Sequence, residues 1–251
     1  MENNLKRINK FISETGYCSR READRLIEEG KVTVNGQAPE MGMKVSISDE
    51  IKINGVLLNA KPKPVYIAFN KPVGITCTTD FNKQDNIIDF IGFPQRIFPI
   101  GRLDKPSEGL IFLTNDGDIV NKILRAGNNH EKEYEVTVEQ NISSDFVAKM
   151  SNGVAILDTV TQKCKVEQTG KNRFSIILTQ GLNRQIRRMC ETLGYSVQKL
   201  KRTRIMNISL KGIEKGQWRY LTDVEMETIN ILVQHSSKTE EASYLNSDEI
   251  E

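Results

Sequence analysis

Asp104 is the side chain in this sequence best placed to do chemistry. It lies in GRLDKPSEGLIFLTNDGD, residues 101–118. A carboxylate held on a loop can attack an electrophilic carbon or take a proton. The surrounding pattern reads as such a loop. Residues 110–113 are an apolar run with the look of a buried strand, and LTNDG after it is a turn. Arg102, Leu103 and Asp104 precede the strand in a stretch that Pro106 and Gly109 keep irregular, and rigid scaffolds often hold reactive groups on such loops. An aspartate in a lone R-L-D stabilises a turn more often than it catalyses, so the neighbours must decide.

A negatively charged reactive group needs a cation beside it, because burial opposes its charged form. Candidates cluster between residues 183 and 204, where Arg184, Arg187, Arg188, Lys199, Lys201, Arg202 and Arg204 face a single acid, Glu191. The same density suits a phosphate backbone, or simply a solvated helix face. A glycoside-type hydrolase would need a second working carboxylate. Glu108 and Asp116 are near in sequence, but neither has a placement that suggests a partner. His130 and His235 are the two histidines, too few for metal ligation or a Ser-His-Asp triad. The four cysteines, Cys18, Cys77, Cys164 and Cys190, form no C-x-x-C pair. Reduced thiols in a cytosolic protein are the expectation, with neither a zinc site nor a disulfide framework.

At a length of 251 residues, the elements that hold these groups form one large domain or two unequal ones. The first unit spans residues 1–60. Leu5, Ile8, Phe11 and Ile12 follow helical spacing, and Gly16 stops that helix. Ser19 and Glu22 make an S-x-x-E capping box for a second helix, with Ala23, Leu26 and Ile27 as its apolar face and Gly30 as its end. Asn35-Gly36 and Asn54-Gly55 are hairpin turns flanked by VTV and IKI. So small a unit is marginal for stability alone, which points to binding. Arg20, Arg21 and Arg25 at the start of the second helix suit phosphate.

Lys61-Pro62-Lys63-Pro64 predicts a short, semi-rigid linker over 61–65. The domain that follows spans 66–235, with strands at 66–69, 110–113, 134–138, 163–167 and 173–178. Helices are expected at 118–125, 143–152 and 183–193. Antiparallel strands interrupted by helices define an α+β class rather than a doubly wound sheet. Residues 236–251 form an acidic tail with few apolar residues, expected to be disordered. Its acids make the net charge of +2 understate how basic the body is. No run of about 18 apolar residues exists, and MENNLKRINK does not read as a secretory signal. A cytoplasmic protein free of membrane is expected.

Two resemblances sharpen this. RINKFISETGYCSRREADRLIEEGKVTVNG, residues 7–36, resembles the S4 RNA-binding domain, which implies that the unit grips structured RNA and has no catalytic role. The 101–118 string resembles the signature of the RsuA-type family of ribosomal RNA pseudouridine synthases, G-R-L-D-x-x-S-x-G-L-x-x-L-T-N-D-G. HEKEYEV, with Lys132 and Tyr134 in a K-x-Y arrangement, and GLNRQIRRMCETLGYSVQKLKRTRI, residues 181–205, are similar to the family's other motifs. NKILRAGNNHEKEY and QGLNRQIRRMCETLGY look like its RluF branch, which acts on 23S rRNA.

The resemblance implies a mixed, mostly antiparallel sheet flanked by helices. It implies an RNA partner, 23S rRNA or a large-subunit assembly intermediate, and a monomeric enzyme. It places Asp104 at the essential carboxylate, Arg187 at its basic partner, Tyr134 at a ring packed on the target uracil and Leu200 at an apolar pocket position. Forming pseudouridine breaks N1–C1′ and makes C5–C1′ without a change of composition or redox state, so no metal, ATP or redox cofactor is required. An ionised Asp104 in a closed pocket is expected, fixed by a bidentate Arg187. Arg184 and Arg188 are expected on phosphates. Arg102 and Lys132 are expected to order a loop or a phosphate. A non-catalytic RNA-binding protein is the competing reading, and an intact Asp104, Tyr134 and Arg187 set argues against it.

Overall fold

The computed structural model describes residues 5–124 and 129–234. The acidic tail and Arg125, expected at a helix end, lie outside the described residues. The chain divides into two compact units. The first takes in residues up to Val65 together with Phe93–Ile97 and Asn115–Gly117.

Its elements are β1 (Lys6–Arg7), α1 (Ile8–Glu14), α2 (Arg20–Glu28), β2 (Val32–Val34), β3 (Lys44–Val45), β4 (Ile51–Ile53) and β5 (Val56–Leu57). Helix α1 starts later than the spacing predicts: Leu5 is exposed, and the two residues after it pair with β3 instead. Ser19 caps α2 by accepting from the Glu22 N–H. The reciprocal half of the expected box is replaced, because the Glu22 carboxylate takes Arg25 Nη2 at 2.6 Å. Asn35-Gly36 does turn the chain, with Val34 and Gln37 exchanging both backbone bonds. The strand partner of β2, however, is the more distant β4, since that pairing brings Val32, Val34, Ile51 and Ile53 into one core with Ile8, Ile12, Ala23, Leu26 and Ile27. The linker is tied down: Asn115 accepts from the Val65 N–H at 2.8 Å and donates to the Lys63 carbonyl at 2.9 Å.

The second unit is built on one sheet. Its elements are β6 (Tyr66–Lys71), α3 (Ile87–Ile91), β7 (Phe98–Ile100), β8 (Glu108–Thr114), α4 (Gly117–Leu124), β9 (Lys132–Val138), α5 (Ser144–Asn152), β10 (Ala155–Ile156), β11 (Thr159–Val160), β12 (Lys165–Gly170), β13 (Arg173–Leu178), α6 (Gln185–Thr192), β14 (Val197–Ile205), β15 (Ile208–Ser209), β16 (Trp218–Tyr220) and α7 (Asp223–Val233). The order across the sheet is β12-β13-β9-β14-β8-β6-β16, with β15 beside β14 and β7 beside β8. Among the described strands of this sheet only the β14–β8 pairing is parallel; the others are antiparallel. The mixed, mostly antiparallel α+β architecture is therefore as expected.

One face of the sheet packs Ala68, Leu110 and Phe112 against Ile119 and Ile123 of α4 and Ile229 and Val233 of α7. Along β8 successive side chains alternate between faces, yet nearly all are buried. A strand covered on both sides reads as a continuous apolar run, which is what makes LIFLT conspicuous in the sequence.

Gly109 needs a different explanation from the one its sequence position suggests. It lies inside β8, not in the irregular loop, at φ +111°. Its Cα pairs with Arg202 of β14, and a Cβ there would strike the Arg202 backbone oxygen, with the Arg202 nitrogen 2.6 Å away. Backbone cannot retreat as a flexible side chain can. Gly109→Ala is expected to cost about 3 kcal/mol or more, read as a lower urea midpoint. A midpoint equal to wild type would show that β8 and β14 are not held this close.

Candidate active site

Asp104 sits between β7 and β8, in a turn closed by the Ser107 N–H donating to the Asp104 carbonyl at 2.9 Å. A second loop, residues 72–86, is stitched alongside. The Gly74 N–H donates to the Lys105 carbonyl at 2.9 Å, the Leu103 N–H to Cys77 Sγ at 3.4 Å, and Lys105 Nζ meets Asp85 at 2.6 Å. The loop is irregular but pinned from several directions.

Two guanidiniums reach the carboxylate. Arg187 Nε lies 3.8 Å from Asp104 Oδ2, and Arg184 Nη1 lies 3.9 Å from the same oxygen. The expected bidentate fork is not made. Arg187 uses its terminal nitrogens elsewhere: Nη2 donates to the Pro106 carbonyl at 3.2 Å and to Ser107 Oγ at 3.1 Å, and Nη1 to the Val197 carbonyl at 3.3 Å. Its buried Nε has no hydrogen-bond partner. Arg187 thus clamps the Asp104 loop to the start of β14 and leaves its charge, not a directed bond, for the carboxylate. Burial lowers its pKa and Asp104 raises it, with burial the larger effect.

The expected closed pocket is also not observed, because the Asp104 side chain keeps 32% of its exposure. Arg184 is the N-cap of α6 at φ +47°. An arginine in the left-handed region costs conformational energy, and such residues concentrate at functional sites. Gln185, buried next to it, holds the approach by accepting from the Leu182 N–H at 3.0 Å.

Tyr134 and Leu200 are buried on β9 and β14. Tyr134 pairs across with Arg202 and Leu200 with Val136. The Arg202 guanidinium carbon lies 6.0 Å from the Tyr134 ring centroid, at the outer limit for a cation–π contact. Arg202 Nε donates to the Leu110 carbonyl at 2.6 Å.

The other basic residues separate into groups that spacing alone does not resolve. Lys132 is buried rather than set on a phosphate: its Nζ donates to the His130 and Thr179 carbonyls. Arg202 is buried too. Arg204 is neutralised by Glu131 at 2.9 Å and Glu133 at 2.8 Å. Arg188 turns to Asn183 at 3.1 Å. Arg102 is exposed. Arg20 and Arg21 are exposed on α2, while Arg25 pairs with Glu22 and Glu29. Among the described residues no cluster of His, Cys, Asp and Glu could hold a metal, and no helix is long and apolar enough to cross a membrane.

Lys71 is a member of the site that was not singled out from the sequence. Fully buried at the end of β6, it donates to the Pro72 and Ile75 carbonyls at 2.9 and 2.8 Å. Burial lowers its pKa, while Cys77, Asp104 and Glu108 oppose that shift. The available signal was a lysine closing the apolar run YIAFNK. Arg202 carried a signal as well. Leu200 and Arg202 are two apart and buried, whereas Lys199 is exposed, so period-two alternation separates the inward arginine from the basic stretch.

A mixed sheet with a carboxylate loop between β7 and β8, two guanidiniums beside that carboxylate and a small helical unit with exposed arginines define the class: an enzyme with a carboxylate-centred site and a surface suited to a polyanion. The comparisons make the assignment specific. Residues 65–192 match the family model for RNA pseudouridylate synthase, and residues 6–51 match the S4 domain. The chain is 58% identical over 233 residues to the dual-specificity RNA pseudouridine synthase RluF of Escherichia coli strain K12, covering 92% of this chain and 80% of that protein. It is 36% identical over 240 residues to the ribosomal large subunit pseudouridine synthase B of Bacillus subtilis, covering 92% of this chain and 98% of that one. A crystal structure of a pseudouridylate synthase superposes with a TM-score of 0.67 at 28% identity, covering 89% of this chain and 99% of that one. The chain belongs to the RsuA-type family of RNA pseudouridine synthases.

Lys132 offers a test of the site's electrostatics. Burial, reinforced by Arg202, lowers its pKa from 10.5 to about 8. The folded protein therefore holds this proton less tightly than the unfolded chain does. The penalty is fully present below about pH 8 and is relieved as pH rises toward the unfolded value. Relative to Lys132→Met, wild type should gain about 2 kcal/mol of stability between about pH 7 and about pH 10. A stability gap that does not change with pH would contradict the buried, charged lysine.

Proposed function

We propose that this chain converts a uridine of 23S rRNA, in the mature large subunit or an assembly intermediate, to pseudouridine with Asp104 as the catalytic carboxylate. The observation that carries the reading is the pair of guanidiniums within 4 Å of Asp104, on a loop pinned by its neighbours. Opposite charges so close attract one another, and the two guanidiniums hold the carboxylate in place. An ionised carboxylate is what the reaction needs, whether it adds to C1′ or takes a ribose proton. N1–C1′ breaks, the uracil turns, C5–C1′ forms, the C5 proton leaves and N1 takes up a proton, so the composition is unchanged.

The remaining roles follow from chemistry. The target nucleotide must leave its stack, which costs a few kcal/mol, and an aromatic ring recovers part of this. Tyr134 supplies the ring, and Leu200 on the adjacent strand an apolar position. Arg187 and Arg184 hold the charge balance. Arg102 and Arg188 are left for the RNA backbone, as are Arg20 and Arg21 of the S4-type unit. The substrate places the enzyme in the cytoplasm.

Asp104→Asn preserves shape and removes the charge. It is expected to abolish isomerisation while leaving RNA affinity within about twofold. Carbodiimide labelling of a synthetic 23S stem-loop measures the first, and filter binding the second. Wild-type turnover in the variant would remove Asp104 from the chemistry. Substituting Arg20 and Arg21 together by Glu should weaken binding and flatten the salt dependence, by about one unit of slope for each phosphate no longer neutralised. An unchanged slope would take the S4-type unit off the RNA backbone.

A further inference from the structure

The loop beside Asp104 carries one residue that the site described so far does not use. Residues 78–86 read TTDFNKQDN, and Phe81 is the single apolar side chain among them. It is 70% exposed. An isolated exposed apolar residue ordinarily needs no explanation. Two features set this one apart.

The tip is built to keep Phe81 outward. Asp80 Oδ1 accepts from both the backbone N–H and the side-chain amide of Asn82 at 3.0 Å. The Asp80 N–H donates to Thr78 Oγ1 at 3.2 Å, and the Lys83 N–H closes a turn onto the Asp80 carbonyl at 3.2 Å. Asn86 anchors the base of the loop through the Lys83 carbonyl and Asp89. The acids are occupied: Asp80 by Asn82, and Asp85 by Lys105 and Thr76. Asp85 is neutralised by Lys105, and Lys83 in the same turn offsets the charge of Asp80, so the tip carries no net negative charge toward a polyanion.

The loop is also fastened to the turn that carries Asp104. Its stem reaches residues on both sides of Asp104, through Leu103 to Cys77, Lys105 to Gly74 and Lys105 to Asp85. A chain spans at most about 3.5 Å per residue, so Phe81 lies within about 14 Å of Asp85. Asp85 is itself tied to Lys105, the residue after Asp104, so Phe81 stands on the border of the same site.

We propose that Phe81 stacks on an unpaired base flanking the target uridine and helps select the substrate loop. The proposal rests on Asp104 being the catalytic centre. Every base presents a π face, so an outward ring on a stapled loop grips single-stranded RNA without reading a hydrogen-bond code. Phe81 is a binding residue, distinct from the ring proposed to pack on the flipped uracil.

The test uses the full-length protein and a 23S stem-loop with 5-iodouridine placed in turn at each position flanking the target. Irradiation should give a cross-link that mass spectrometry maps to Phe81. Phe81→Ala should weaken RNA binding about tenfold, raise KM in parallel, and leave kcat and melting temperature near wild type. Phe81→Trp should restore affinity and Phe81→Leu should not. Equal binding and KM in Phe81→Ala, or full rescue by Leu, overturns the stacking role. Failure of the functional reading looks different: wild type would not isomerise the RNA, while the cross-link and the affinity loss would persist.

Discussion

Among the described residues of the second unit four cations are buried, Lys71, Lys132, Arg187 and Arg202, and main-chain carbonyls, more than carboxylates, solvate them. A buried charge is costly unless hydrogen bonds replace most of its hydration; Arg187 Nε and Arg202 Nη2 are the exceptions here. Here the partners are the carbonyls of Pro72 and Ile75, of His130 and Thr179, of Pro106 and Val197, and of Leu110. Each cation therefore fixes a piece of backbone. Lys71 holds the loop after β6, Arg187 holds the loop before β8, and Lys132 ties β9 to the end of β13. Of the four, Arg187 also stands 3.8 Å from Asp104, where its charge adds to that of Arg184. Arg187 thus serves both as a clamp and as part of the electrostatic setting of the site.

That arrangement depends on how closely two strands approach. At Gly109 the backbones of β8 and β14 come within a distance no side chain allows. This approach lies in the parallel pairing of the sheet. It sets Arg202 beside Tyr134 and across from the strand that Asp104 precedes. The α6 helix then follows from β13 and returns the chain to β14, which places Arg184 and Arg187 at the carboxylate. The strained backbone of Arg184 and the unbonded Nε of Arg187 are both found here. Local cost at such a place is held in check by the surrounding clamps.

The S4-type unit works by different physics. Its core is small, its strands are two or three residues long, and its α2 helix leaves Arg20 and Arg21 in water. Charge at a solvent-exposed surface attracts phosphate without needing precise geometry, whereas an isomerase site must hold one oxygen near one sugar carbon. A binding unit can be small and marginal where a catalytic one cannot.

The class of enzyme, the candidate carboxylate and most of the elements were legible along the chain. Alternation and turn chemistry are local, so the strands around LIFLT, KEYEV and RFSIIL, the Ser19 and Ser143 caps and the Asn-Gly turns could be read from near neighbours. The helix Asp223–Val233 was missed although Thr222 and Glu225 form a capping box for it. The fate of each charge, by contrast, was settled in three dimensions. Arg184, Arg187, Arg188, Arg202 and Arg204 look alike as a string, yet one caps a helix beside Asp104, one clamps the Asp104 loop, one turns to Asn183, one is buried beside a tyrosine and one is neutralised by glutamates. Lys71 and Lys132, and Gly109 between two strands, belong with them. The physical reason is common to all: burial and partnership depend on residues tens of positions away, and no spacing rule along the chain carries that information.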